Sequence, residues 1–188
     1  MNVPNQLTLF RLCLTLPFVA ALSVNFPGAK TTALILFLVG SFTDYADGMI
    51  ARKYQLNSDF GRLMDPLVDK ILTVSAFICL VALHLLPAWA AIIIVSREFL
   101  ITGLRLIAAS QGKVLAAEKL GKHKTVWQMI TIVYFLVMLV IAELGGPDWT
   151  KKLKLTVLGD VLIGVTVILT LVSGISYLTK HWDLIGET

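Results

Sequence analysis

Charge is scarce in this sequence. Asp, Glu, Lys and Arg make up 15% of its 188 residues, where soluble domains carry about 25%. Hydrophobic residues make up 57%, and the mean hydropathy is +0.83. This balance excludes an ordinary soluble domain and predicts an integral membrane protein. Cysteine is nearly absent. Cys13 and Cys79 both sit in apolar runs, with neither metal-ligand spacing nor a disulfide framework around them, and read as small buried side chains. Polar linkers, low-complexity tracts and clear repeats are missing as well. At about 20 residues per span, the apolar runs fill nearly the whole length and leave no room for a separate soluble domain. Residues 1–188 therefore read as one helical membrane domain.

The expected fold is all-α and polytopic, with six transmembrane helices behind a short N-terminal interfacial helix. Asn5 would cap that first helix, with Leu7, Leu9 and Phe10 at the headgroup boundary. The apolar run after Arg11, with Ala20 and Ala21, imitates a signal peptide, but no polar mature domain follows it, so it is expected to be retained. Spans are expected over about Leu12–Val24, kinked at Pro17, and Thr31–Lys53. A third runs from the turn at Asn57, Ser58 and Gly61 to about Leu86, with Pro66 in its first turns. The rest cover about Pro87–Ala109, Thr125–Leu144 and Leu155–Thr179, and Gln111–Lys124 is expected to be a basic loop.

The sequence has 16 basic and 12 acidic residues, net +4. The basic residues gather at span ends and loops, which suits lipid headgroups, topology and phosphorylated substrates rather than nucleic acid. An even number of spans puts both termini on one side, together with Arg11, Arg52, Arg62, Lys70, Arg97, Arg105, Lys122 and Lys124. The positive-inside rule makes that side cytoplasmic. Trp89 and Trp149 would anchor one interface, and Trp127 and Trp182 the other.

Against this background stand four carboxylates. Each Asp near the middle of a membrane helix costs roughly 2.5–3.5 kcal/mol on insertion scales. Asp44 and Asp47 are three residues apart and Asp65 and Asp69 four, so each pair shares a helix face. Two facing helices would converge all four on one point, where repulsion turns into ligation once one or two divalent cations bind to these hard oxygen donors. Gly48 and Ala51 keep the Asp47 side free of bulk, and Arg52 is placed to meet an anion held there. Further cations, Arg97, Arg105, Lys119, Lys122 and Lys124, form a second basic group. Metals, room for a diphosphate and a second basic pocket together suit phosphoryl transfer between two phosphorylated substrates. A cation or proton transporter would also use intramembrane Asp, and a non-catalytic lipid-binding scaffold would not need metal.

The run Asp44-x-x-Asp47-Gly48-x-x-Ala51-Arg52, eight residues, then Gly61-x-x-x-Asp65-x-x-x-Asp69 resembles the signature of the CDP-alcohol phosphotransferases at every fixed position. The resemblance implies transfer of a phosphatidyl or similar group from a CDP-linked donor to an alcohol, releasing CMP. It implies two Mg2+ or Mn2+ ions held by Asp44, Asp47, Asp65 and Asp69, with Asp69 also the proton acceptor. Asn5, Thr8, Gly48, Arg52 and Ser58 map onto positions that contact the CDP-diacylglycerol. Pro4-Asn5-x-x-Thr8-x-x-Arg11, Ser96-Arg97-Glu98 with Arg105, and Gly121-Lys122-His123-Lys124-Thr125 are similar to the family's bacterial phosphatidylglycerophosphate synthase branch. That likeness implies glycerol 3-phosphate as acceptor, a homodimer, and a place in the bacterial cytoplasmic membrane with the site facing the cytoplasm. A phosphorylated acceptor needs cations, and Arg97, Arg105, Lys122 and Lys124 are the available set. Glu98 is expected to pair with an Arg in a structural role. Inositol phosphate and serine stand as alternative acceptors.

Overall fold

Helices begin and end here where the sequence changes character. The structure is a computed structural model that describes residues 3–54, 59–111, 115, 119–146 and 157–181, and the side chains of all these except 3–9, 44–54, 59–69 and 119. The described residues form six helices and no strand: α1 (Val3–Ser23), α2 (Ala29–Tyr54), α3 (Asp59–Ala82), α4 (Ala88–Ser110), α5 (Lys119–Glu143) and α6 (Val157–Lys180). They occupy the places of the six expected spans. Among the described residues, two helical stretches are long and apolar enough to cross a membrane, Leu120–Glu143 and Val157–Lys180, each of 24 residues and hydropathy 2.2. At 1.5 Å per residue each is about 36 Å long, and a bilayer's hydrocarbon core is about 30 Å thick. Shorter apolar stretches occupy Phe10–Ser23, Ala29–Thr43 and Lys70–Ala82.

Three boundaries differ from expectation. The N-terminal helix is not a separate piece, because α1 runs unbroken from Val3 to Ser23 with Pro17 inside it. Nothing between Phe10 and Leu12 breaks a helix, and Pro17 removes only one amide bond, the one toward Cys13. The third helix stops at Ala82, short of Leu86. There the His84 N–H bonds the Val81 carbonyl at 2.9 Å and the Leu85 N–H bonds the Leu80 carbonyl at 2.9 Å, with His84 at φ 58. These two bonds around one left-handed residue form a Schellman cap, and Pro87 then opens α4. α5 starts at Lys119, not near Thr125, so the expected basic loop is partly the first turns of a helix. Lysine is a good helix former, and the buried pair of Lys124 with Glu98 of α4 holds these turns against the bundle despite their positive charge at a helix N-terminus.

The core joins all six helices. Phe18 of α1 lies against Phe37 of α2 with ring centroids 5.8 Å apart. Phe77 and Leu80 of α3, Ile94 of α4, Ile132 and Leu136 of α5, and Ile163 and Val167 of α6 complete the buried cluster. Outside it the surface is apolar instead of charged: Leu16 and Phe42 are each 72% exposed, Ile92 64% and Ile168 61%. α5 and α6 are joined by buried hydroxyls. Thr131 Oγ1 and Thr166 Oγ1 are 2.8 Å apart, and Thr131 also donates to the Trp127 carbonyl at 2.8 Å. Small hydroxyl residues are the usual contacts between helices in lipid, where apolar burial gives little drive.

At one end of the bundle the carboxylate of Glu143 in α5 receives the backbone N–H groups of Lys30 (3.0 Å) and Thr31 (3.1 Å), and the Thr31 hydroxyl (3.1 Å). These are unsatisfied donors of the first turn of α2, where a negative charge is favourable. Lys30 Nζ in turn donates to the Leu22 carbonyl of α1 at 2.9 Å. One charged pair of residues thus fixes the ends of three helices.

Candidate active site

α2 stays helical to Tyr54, and α3 resumes at Asp59. Asp44, Asp47, Gly48 and Arg52 therefore lie in the last turns of α2, and Asp65 and Asp69 in the first turns of α3. The helical spacing on which their convergence depends is present in the backbone, while their side chains lie outside the described residues, as does Ser58 altogether. α2 and α3 pack against each other. Their close approach is at Gly40, where an added Cβ would be 2.6 Å from Leu72 Cδ2. Gly40 is one turn before Asp44 and Leu72 three residues after Asp69, so this contact adjoins the acidic motif. Asn5 and Thr8 belong to the opening turns of α1, which packs on both α2 and α3; their side chains are also outside the described set. Four carboxylates on two contacting helices suit hard divalent cations. Among the described residues no other cluster of three or more His, Cys, Asp or Glu could hold a metal.

Next to the motif is a cavity of about 200 Å³, lined by Lys70 of α3, Arg97, Glu98 and Arg105 of α4, Lys122 and Lys124 of α5, and Tyr177 of α6. The structure brings together the four cations expected to meet the acceptor phosphate and adds Lys70, which directly follows Asp69, while the side chain of Lys119 lies outside the described residues. Arg97, Ile101 and Arg105 recur every fourth residue and so face one way. Arg105 and Lys122 are exposed at the rim, while Lys124 is 2% exposed. Among the described residues Glu98 is the one carboxylate in the lining; it is 8% exposed and ion-paired with Lys124. It also has Arg97 Nη1 at 3.7 Å and receives a long hydrogen bond from Gln128 Nε2 at 3.5 Å. Glu98 is thus more than the partner of one Arg, because it joins α4 to α5 inside the basic pocket. Arg97 Nη2 donates to Ser173 Oγ of α6 at 3.2 Å.

A second cavity, about 220 Å³, shares Lys70, Glu98 and Thr125 with the first. Thr73 and Gln128 continue its polar wall, and Val74, Phe77, Ile94 and Met129 make an apolar one. These residues follow Lys70 along α3, precede Glu98 on α4 and follow Thr125 on α5, so the second cavity lies farther along the bundle from the acidic motif.

The sequence profile of the family described as CDP-alcohol phosphatidyltransferase matches residues 1–176. The chain belongs to that family. The match spans the site residues from Asn5 to Lys124 together with Ser173 of α6, and ends one residue before Tyr177. Among similar proteins is a Bacillus subtilis (strain 168) CDP-diacylglycerol–glycerol-3-phosphate 3-phosphatidyltransferase, 39% identical over 97% of this chain and 96% of the relative. A protein of the same name from Treponema pallidum (strain Nichols) is 33% identical over 98% and 91%. A probable phosphatidylglycerophosphate synthase from Mycobacterium tuberculosis (strain ATCC 25618 / H37Rv) is 34% identical over 98% and 84%. Membership of the CDP-alcohol phosphatidyltransferases and the two long apolar helices agree on a helical membrane protein. Within this family fold, sequence reasoning missed Lys70 and Tyr177 as pocket residues and Ser173 as the partner of Arg97. Lys70 had a visible signal, its place beside Asp69, whereas Ser173 and Tyr177 sit in an apolar helix whose pattern points to nothing but packing.

Proposed function

We propose that this CDP-alcohol phosphatidyltransferase moves the phosphatidyl group of CDP-diacylglycerol to the hydroxyl of sn-glycerol 3-phosphate, giving phosphatidylglycerol phosphate and CMP. The observation that carries the choice of acceptor is the five-cation cavity that starts at Lys70, one residue from Asp69. A cavity so charged suits a phosphate dianion, with Arg97 and Arg105 suited to bidentate contact and Lys122 and Lys124 to point-charge attraction. Serine carries no phosphate to satisfy it; inositol phosphate does, but needs more room around the ring. The names of the relatives favour glycerol 3-phosphate.

Asp44, Asp47, Asp65 and Asp69 would hold two divalent cations, Mg2+ or Mn2+. Such ions, when bound, neutralise the diphosphate and stabilise the departing nucleotide. The chain's own residues do the rest. Asn5, Thr8, Gly48, Arg52 and Ser58 seat the CDP-diacylglycerol, Gly48 by leaving space at the helix surface and Arg52 by its charge. The basic cavity holds the acceptor's phosphate so that its free hydroxyl faces the diacylglycerol-bearing phosphorus. As the oxygen bonds to that phosphorus and the bond to CMP breaks, Asp69 takes the hydroxyl proton. All six helices cross the membrane in this reading. The basic ends of α4 and α5 then lie with both termini on the cytoplasmic side of the bacterial inner membrane, among anionic lipids, and Lys30 lies opposite. The working unit is a homodimer.

Two measurements test the reaction. Asp69→Asn should nearly abolish turnover while donor binding persists, and near-normal rates would remove Asp69 as the base. Chelation should stop CMP release, and added Mg2+ or Mn2+ should restore it; continued release without metal would overturn the role of the four Asp. A cation or proton transporter would instead drive flux into liposomes without CMP release.

A further inference from the structure

The proposed acceptor pocket takes its cations from α3, α4 and α5, yet its most buried Arg is shaped by α6. Arg97 reaches across to α6, where its Nη2 donates to Ser173 Oγ at 3.2 Å. Ser173 is 1% exposed and donates onward to the Thr170 carbonyl at 3.1 Å, which turns its lone pairs toward the guanidinium. The next residue, Gly174, is the floor under the Arg97 stem. A Cβ added there would lie 3.1 Å from Arg97 Cγ and 3.8 Å from Nε. The missing side chain and the hydroxyl beside it act on the same side chain: Gly174 admits the methylenes, and Ser173 fixes the end of the guanidinium. Glu98, 3.7 Å from Nη1, attracts the other terminal nitrogen electrostatically. A guanidinium hydrogen-bonded at one terminal nitrogen and drawn toward a carboxylate at the other keeps its plane oriented, which is the condition for two parallel bonds to one phosphate.

We propose that Ser173 and Gly174 are positioning residues for substrate selection, orienting Arg97 toward the phosphate of the acceptor. Neither touches the substrate, and both act through Arg97. The inference rests on the reading of the basic cavity as the acceptor-phosphate site.

The test is steady-state kinetics of the purified full chain with both substrates varied. Loss of a hydrogen bond to a charged group predicts that Ser173→Ala raises KM for glycerol 3-phosphate by about tenfold, while kcat and KM for CDP-diacylglycerol change by less than about twofold. Gly174→Ala should show the same split through a displaced Arg97 stem. Ser173→Ala adds no volume, so it serves if Gly174→Ala fails to fold. In an Arg97→Ala background, Ser173→Ala should add nothing further, because the two act as one unit. Equal losses for both substrates, a fall in kcat alone, or full additivity with Arg97→Ala would overturn the inference. If Arg97→Ala itself left KM for glycerol 3-phosphate unchanged, the reading of the cavity would fail instead. If Arg97→Ala raised it and Ser173→Ala did not, only the positioning role would fall.

Discussion

Glu98 and Lys124 show how much depends on individual buried side chains. Their ion pair sits in the wall of the basic cavity, with both groups nearly inaccessible. Removing one member of a buried pair leaves the other uncompensated, at a cost of roughly 3–5 kcal/mol. Glu98→Gln or Lys124→Met should therefore each lower the thermal unfolding temperature in detergent sharply. The double variant should recover part of that loss while activity stays low, since the cavity has lost a cation. A double variant no more stable than either single one would show that the pair is not the source of the stability. His84 is the opposite case, an exposed residue in a left-handed conformation at a helix end. Glycine has no steric penalty there, so His84→Gly should gain on the order of 0.5–1 kcal/mol and leave activity intact. Unfolding at an unchanged or lower temperature would contradict the cap. At this scale the sequence was partly readable. Charged residues in apolar runs announce themselves by their cost, so Arg97, Arg105 and the four Asp stood out. Ser173 did not, because a hydroxyl in a membrane helix bonds its own backbone cheaply and leaves no mark in the pattern.

Between elements, the contact that bears most on the acidic motif is that of α2 with α3. A Cβ at Gly40 would come 2.6 Å from the tip of Leu72, and a Leu tip can rotate away, so Gly40→Ala should keep much of the activity. Gly40→Val adds a branched side chain that Leu72 cannot evade and should force α2 from α3, separating the Asp44–Asp47 pair from Asp65–Asp69. Turnover should fall by at least about tenfold, as expected when reacting groups shift by an ångström. Normal turnover for Gly40→Val would mean the two helices need not be so close. Helix number and order were legible, because apolar runs near 20 residues separated by Pro, Gly and Asn leave little choice. The ends were less so. The cap at His84 depends on a conformation that histidine rarely adopts, and the early start of α5 at Lys119 depends on a buried partner, Glu98, that is 26 residues distant from Lys124 in the sequence.

The whole molecule joins a two-helix carboxylate motif to a basic cavity built by four helices. The motif was legible from spacing, and its resemblance to the CDP-alcohol phosphotransferases gave a chemistry to match. The cavity was legible only as a set of cations, since meeting in one place is a property of tertiary packing; the chain reaches that place from Lys70, Arg97, Lys124 and Tyr177, which are far apart in sequence. The measurement that bears most directly on the central claim is CMP release from CDP-diacylglycerol by purified protein with Mg2+ or Mn2+, with glycerol 3-phosphate, glycerol, serine and inositol phosphate compared as acceptors. Release that requires glycerol 3-phosphate, at rates about a hundredfold above those with glycerol, is the expected result for a site that uses a phosphate handle. Equal rates with glycerol or serine would contradict it.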